Sequence, residues 1–156
     1  MSALRALKYR GIRDIADIFA EKLADKISAG TFGTWPEGEM LLVPIPTTRA
    51  SARARGYNQS LLLAEALAQR APERFIVGED ILSKKDGVRK QTGMRTREER
   101  FKNMDGALFV RDADAVSEKN ILLIDDIITT GATAREAMRV LKGADLRKVW
   151  FLAVAH

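Results

Sequence analysis

Thirteen consecutive residues constrain this chain most: Ile121-Leu122-Leu123-Ile124-Asp125-Asp126-Ile127-Ile128-Thr129-Thr130-Gly131-Ala132-Thr133. Four apolar residues in a row, two of them β-branched, read as a strand buried on both faces, as in parallel sheets covered by helices. Two acids end it. A small, polar turn follows. Then Ala134, Ala137, Met138 and Leu141 recur at i, i+3, i+4 and i+7, one apolar stripe at helical spacing. Buried strand, acidic pair, small-residue turn and helix start, in that order, point to an open α/β sheet. Ligands of such sheets bind at the carboxyl ends of the strands.

The turn from Thr129 to Thr133 has the chemistry of an anion cradle. Free N–H groups at a helix start point outward, and the helix dipole favours negative charge there. The hydroxyls of Thr129, Thr130 and Thr133 add donors, and Gly131 lets the backbone approach a ligand closely. Asp125 and Asp126 just before the cradle would repel a phosphate held against them. They suit sugar hydroxyls or a hydrated Mg²⁺ nearby. A ligand with a phosphate at one end and vicinal hydroxyls or a metal near the other is a sugar phosphate. The chain contains neither GxxxxGK[ST] nor GxGxxG, so the P-loop and dinucleotide fingerprints are absent. A receiver domain also places an acidic pair at a strand end, but it needs a further Asp and a Lys on later strands, and only one strand pattern follows.

Residues 121–133 closely resemble the signature of the type I phosphoribosyltransferases: four apolar residues, two acids, two apolar residues, then a Thr/Ser-rich turn with Gly and a final Thr. The resemblance implies that Asp125 and Asp126 contact the ribose hydroxyls of phosphoribosyl pyrophosphate (PRPP). It also implies that Thr129, Thr130, Gly131, Ala132 and Thr133 hold its 5′-phosphate.

The 156 residues suit one domain, and with 46% hydrophobic and 30% charged residues the chain is globular rather than disordered. There is no apolar run of 18 residues and no signal-peptide pattern, so a soluble cytoplasmic protein with no membrane contact is expected. Without Cys there are no disulfides or thiolate metal sites, and the one His is His156. Any metal is therefore oxygen-bound, with Mg²⁺ the expected cofactor. The net charge of +5 suits an anionic small substrate and permits nucleic-acid contact without requiring it.

Residues 2–30 read as helical, with Ile12, Ile15, Ala16, Phe19, Leu23 and Ile27 on one stripe and Gly11 separating a short first helix from a longer one. A turn-rich stretch, Gly30 to Gly38, follows. The type I resemblance makes residues 1–35 a candidate hood over the acceptor. A helix packed on the sheet is the alternative. The same resemblance implies that residues 40–156 form the PRPP-binding core. Met40 to Pro46 is the first core strand, its ladder expected to end near Val43 because Pro44 and Pro46 follow. The connection Thr47 to Gln59 carries Arg49, Arg53 and Arg55, and leads to a helix with Leu61, Ala64, Leu67 and Ala68, capped by Asn58.

Val43 to Pro46, this basic stretch, and Arg55-Gly56-Tyr57-Asn58-Gln59 resemble a narrower group, the ComF family of phosphoribosyltransferase-like proteins linked to bacterial competence. Thr47 and Thr48 stand where that family commonly has Leu-His, so no role of that His carries over. By position, residues 47–55 correspond to the pyrophosphate loop, which implies that Thr47, Thr48, Arg49, Arg53 and Arg55 contact substrate. The pattern continues with Gln91, Arg100, Asn103 and Gly106-Ala107, with Leu108 where Phe is usual. Many ComF proteins begin with a four-Cys zinc ribbon; this sequence has no Cys.

Ile81 to Lys85 reads as a short strand and Ala107 to Val110 as another. Between them, Lys84 to Lys102 holds eight Lys or Arg against three acids, with no aromatic before Phe101, so it lacks a base-stacking platform. Thr96-Arg97-Glu98-Glu99 is a capping box. In type I enzymes a mobile loop over PRPP occupies this place. Arg147 to Ala155 forms the last strand, with Val149, Phe151 and Ala153 facing one way and Trp150, Leu152 and Val154 the other.

The expected fold is a mostly parallel central sheet flanked by helices, the type I phosphoribosyltransferase fold with a small N-terminal helical hood. The expected activity is Mg²⁺-dependent transfer of a 5-phosphoribosyl group to an unidentified, base-like acceptor with release of pyrophosphate. The alternative is a non-catalytic regulator or accessory of DNA uptake. Expected partners are PRPP, pyrophosphate and the acceptor, with weak nucleic-acid contact and a homodimer also allowed.

Overall fold

Ile121, Leu122, Leu123 and Ile124 are all at 0% exposure in the computed structural model, which describes residues 3–31, 36–85 and 104–155. Such burial requires cover on both faces of a sheet, and the elements supply it. The strands are β1 (Met40–Pro44), β2 (Phe75–Val77), β3 (Leu82–Lys84), β4 (Leu108–Val110), β5 (Asn120–Ile127) and β6 (Lys148–Ala155). The helices are α1 (Ala3–Ser28), α2 (Arg49–Arg55), α3 (Gln59–Arg70) and α4 (Ala132–Leu141). Strands β2-β1-β5-β6 form a four-stranded, wholly parallel sheet, and β3 and β4 form a separate antiparallel pair.

Alternation along the strands divides the core in two. Met40, Leu42, Leu122, Ile124 and Leu152 pack with Ala16, Ala20, Leu23 and Ile27 of α1 and Leu63 and Leu67 of α3. Leu41, Val43, Ile121 and Leu123 pack with Ala137 and Leu141 of α4 and with Leu82 and Leu108 of the antiparallel pair. Each of these large side chains, fully buried, stabilises the fold by roughly 1.5–3 kcal/mol before entropy is counted. Trp150 and Val154 lie against the first cluster and Val149 and Phe151 against the second, as the last strand's alternation predicts.

Several local expectations change. The acids do not end β5: the ladder continues, with Asp125 opposite Ala153 and Ile127 opposite Ala155, because β6 is equally long and backbone pairing is indifferent to the charge of side chains that leave the sheet. β1 ends at Pro44, near Val43 as expected. Pro44 pairs with Ile124, and the Ile45 N–H donates to the Ile124 carbonyl at 2.8 Å. Proline is tolerated there because β2 covers only Met40 to Leu42, so the missing N–H falls beyond its reach. β2 itself, three residues long, is too short to show a period and was not expected.

Gly11 does not split the first helix; α1 is continuous from Ala3 to Ser28. One interior Gly costs about 1 kcal/mol against Ala, which a long docked helix withstands. Among its side chains from Arg13 onward, the buried ones are Ala16, Ala20, Leu23 and Ile27, while Ile15 and Phe19 of the expected stripe are 53% and 39% exposed. The small Ala faces let α1 approach α3, and this turns Ile15 and Phe19 aside. Arg70 on α3 reaches Asp17 at 3.5 Å and Glu21 at 3.9 Å. These pairs are largely solvated and add orientation more than stability. The described part of α1 is a helix packed on α3 and the core, and its Ile15 and Phe19 remain on the side open to solvent.

Residues 47–55 are not an open loop. Thr48 caps α2, its hydroxyl oxygen accepting from the Ser51 N–H at 3.1 Å, and Gly56 ends the helix at φ +87°. Residues 86–103, with Gln91, the capping box at Thr96, Arg100 and Asn103, lie outside the described residues, as do 32–35 and His156. No helix among the described residues is long and apolar enough to cross a membrane.

Candidate functional site

From β1 the chain passes through α2 and α3 to β2 on one side, while β5 lies on the other side of β1. The connections after β1 and β5 therefore diverge, and a crevice opens at their carboxyl ends, the place where open α/β sheets bind ligands. A cleft of about 420 Å³ lies there. Asp125 and Asp126 of β5 form one wall. Thr47 and Thr48 after β1, Arg55 at the end of α2 and Thr133 in the first turn of α4 also line it.

Six of the sequence-predicted residues thus meet: Thr47, Thr48, Arg55, Asp125, Asp126 and Thr133. Arg53 is exposed on α2 and does not line the cleft, nor do Thr129, Thr130, Gly131 and Ala132, which precede Thr133 at its rim. Arg49 opens α2. Gly131 is the N-cap of α4 at φ +75°, a left-handed conformation that favours glycine, and the Thr130 hydroxyl oxygen accepts from the Ala132 N–H at 3.4 Å.

Five polar cleft residues escaped the sequence reading as site residues: Ser51, Asn58, Gln59, Ser60 and Lys84. Ser60, in the first turn of α3, is 3% exposed and donates its hydroxyl to Asp125 Oδ1 at 3.1 Å. Lys84, at the end of β3, comes from the antiparallel pair outside the main sheet. Gln59 lines the cleft and accepts from Arg55 Nη1 through its Oε1. Nothing local in the sequence marks either Ser60 or Lys84, since each meets Asp125 only through the packing of distant elements.

The charges interact. Asp125 is pushed up to about 7, chiefly by burial, then by the hydrogen bond and negative charge of Asp126; the bonds from Ser60 and the Asp126 backbone oppose this. Burial lowers the Lys84 ammonium, and the Asp125 charge pulls it back up. Among the described residues no group of three or more His, Asp or Glu side chains could hold a metal ion. Two carboxylates at the wall of this cleft do fit a Mg²⁺ that would arrive on a polyphosphate, since this cation keeps most of its water and shares few protein oxygens.

A second recess of about 290 Å³ adjoins the cleft and shares Gln59, Asp126 and Ile127 with it. Its other walls are apolar: Ile15 and Phe19 from α1, Leu62 and Leu63 from α3, and Val154 from β6.

Residues 15–155 match the phosphoribosyl transferase domain family. Among curated proteins, competence protein ComFC of Bacillus subtilis is 31% identical over 138 residues, 88% of this chain and 51% of that protein. Competence protein F of Haemophilus influenzae is 26% identical over 116 residues, 73% of this chain and 50% of that protein. The chain thus spans about half the length of these relatives. Among solved structures, a hypoxanthine phosphoribosyltransferase from Staphylococcus aureus superimposes with a TM-score of 0.53 at 13% identity, covering 90% of this chain and 62% of that one. The glutamine PRPP amidotransferase of B. subtilis gives 0.51 at 15% identity, covering 92% of this chain and 26% of that one. At such identities these likenesses show the fold alone.

Proposed function

This chain belongs to the phosphoribosyl transferase domain family, and from that premise we propose that it binds PRPP with Mg²⁺ and transfers the 5-phosphoribosyl group to an acceptor nitrogen. The observation that carries the reading is the meeting of the acidic pair, Thr133 of the cradle helix and the basic end of α2 around one cleft at the switch between β1 and β5. Asp125 and Asp126 hold the ribose hydroxyls. Thr133 and the start of α4 take the 5′-phosphate. Thr47, Thr48 and Arg55 face the pyrophosphate, with Arg55 as a charge-assisted donor.

Asp125 and Asp126 would share a Mg²⁺ arriving on PRPP, which would supply charge neutralisation for the pyrophosphate. The bond from the anomeric carbon to the pyrophosphate oxygen breaks, and its electron pair leaves with pyrophosphate. A bond to the acceptor nitrogen forms, and that nitrogen sheds its proton to solvent. The ionised acids lie where positive charge develops on the sugar, so their contribution is electrostatic and positional. The apolar recess beside Asp126 is where an acceptor reaches the anomeric carbon, between α1 and α3.

The test is incubation with PRPP, Mg²⁺ and a panel of nitrogen heterocycles and amines while pyrophosphate is assayed. Acceptor-dependent release is expected. PRPP binding without release under every acceptor supports the second reading, a PRPP-binding regulator or accessory in DNA uptake. The competence names of the two curated relatives favour that reading. If nucleic acid is the partner, its affinity falls log-linearly with salt, and Arg89, Lys90, Arg95 and Arg97 carry the slope.

A further inference from the structure

A chain of four hydrogen bonds runs through the cleft wall. Asn58 Nδ2 donates to the Ile45 carbonyl at 3.1 Å, and Asn58 Oδ1 accepts from the Ser60 N–H at 3.2 Å. Ser60 Oγ donates to Asp125 Oδ1 at 3.1 Å, and the same oxygen accepts from the Asp126 N–H at 3.0 Å. Asn58 thus does two things: it caps α3, and it ties that cap to the end of β1. The second residue of the helix is thereby fixed, and its hydroxyl is aimed across the cleft at an acid 65 positions later in the chain.

A serine at this place is not required by packing. Ser60 is 3% exposed, and its neighbours Leu62, Leu63, Ala64, Ala66 and Leu67 are buried and apolar, so alanine would satisfy the helix equally well. A buried hydroxyl without a partner costs about 1–3 kcal/mol. Ser60 has its partner in Asp125. Without that donor, the Asp126 N–H alone would hold Oδ1, and the carboxyl group could turn about its χ1 and χ2 bonds within the cleft it lines. With both donors on Oδ1, one orientation is held, and Oδ2 is the oxygen a sugar hydroxyl meets.

We propose that Ser60 is a positioning residue: through the Ile45–Asn58–Ser60–Asp125 chain it locks the Asp125 carboxylate toward the ribose, coupling the strand end that begins the pyrophosphate side to the acid that holds the sugar. The ligand consequence rests on the PRPP reading. The mechanical one does not. Preorganisation of this kind acts on sugar recognition and leaves the phosphate cradle untouched.

Two measurements test it. In the free protein, side-chain couplings of Asp125 measured by NMR should report one rotamer in the wild type and an average in Ser60→Ala and in Ser60→Cys, which keeps the volume without a strong donor. Ribose 5-phosphate should then bind about 3- to 10-fold more weakly to both variants, with inorganic phosphate unchanged, and Ser60→Ala should add nothing further in an Asp125→Asn background. A single Asp125 rotamer in Ser60→Ala overturns the proposal, as does an equal loss for phosphate and ribose 5-phosphate. If the rotamer averages but the wild type ignores ribose 5-phosphate and PRPP, the positioning role stands and the PRPP reading falls.

Discussion

Asp125 turns its carboxylate back onto the N–H of Asp126 at 3.0 Å, and Asp126 does the same to the N–H of Ile127 at 3.0 Å. Neighbouring strand residues ordinarily send side chains to opposite faces. At this strand end both acids nevertheless reach one cleft, and their repulsion, added to burial, raises Asp125 to about 7 from an ordinary 3.8.

The first prediction follows from that shift. The folded protein binds this proton more tightly than the unfolded chain does. Its contribution to stability is therefore full below about pH 4 and is lost as pH rises through about 7. Asp125→Asn should melt higher than wild type at pH 8, with the gain shrinking at pH 5 and vanishing below about pH 4, by calorimetry. Ligand binding carries the opposite dependence, because sugar hydroxyls need the ionised acid. Affinity for PRPP·Mg²⁺ should rise with pH through about 7, and titration near pH 6.5 in buffers of different ionisation heat should reveal proton release.

The second prediction separates sugar from phosphate. Asp125→Asn and Asp126→Asn each replace a charged acceptor by an amide. A hydrogen bond to a charged group contributes about 1.5–3 kcal/mol, so ribose 5-phosphate and PRPP should bind roughly 10- to 100-fold more weakly. Inorganic phosphate should bind as well or slightly better, since a nearby negative charge is gone. Wild-type affinity for ribose 5-phosphate in both variants would remove the acids from the site.

The acidic pair and its cradle are legible because their chemistry is local: β5, the turn and the start of α4 are contiguous, so order along the chain is order in space. Asn58 as a cap is legible for the same reason. Lys84 is not, because its place depends on how a separate antiparallel pair docks against the sheet. Ser60 becomes meaningful only when α3 has crossed to face β5. The extension of β5 through two acids has a similar cause. Its partner β6 decides it, and neither strand's composition announces the register. In α1 the apolar stripe marks the helix and three of its docking residues, Ala16, Leu23 and Ile27. It misses Ala20 and includes Ile15 and Phe19, since the small Ala16 and Ala20 permit the close approach and the bulkier pair do not.

A third prediction concerns Gly131. At φ +75° a β-branched side chain is strongly disfavoured, although its Cβ would meet only Ile128 Cδ1 at 3.8 Å. The cost is therefore conformational rather than steric, on the order of 1–2 kcal/mol. Gly131→Val should lower the melting temperature modestly and sharply weaken phosphate and PRPP alike, because the backbone at the start of α4 must shift. Circular dichroism should still show a folded protein. Unchanged phosphate affinity would remove this turn from the cradle.

The last prediction concerns Lys84. It lines the cleft beside Asp125, and its ammonium is held low by burial although that carboxylate opposes the shift. Two roles are consistent with this position and differ in what they predict. If Lys84 only balances Asp125, Lys84→Met should raise the pH at which Asp125 ionises, since the favourable influence between the two groups is reciprocal, while pyrophosphate affinity stays constant. If it also contacts the leaving group, the same substitution should weaken pyrophosphate and PRPP by roughly tenfold, the usual size of a lost charge-assisted bond. Ribose 5-phosphate would serve as the internal control. We expect the second result, because a cation kept partly dehydrated at the mouth of a cleft gains most from a polyanion that replaces its water. Calorimetric titration of both ligands into wild type and Lys84→Met, at two pH values on either side of 7, separates the roles. Equal affinities for pyrophosphate would confine Lys84 to tuning its neighbour.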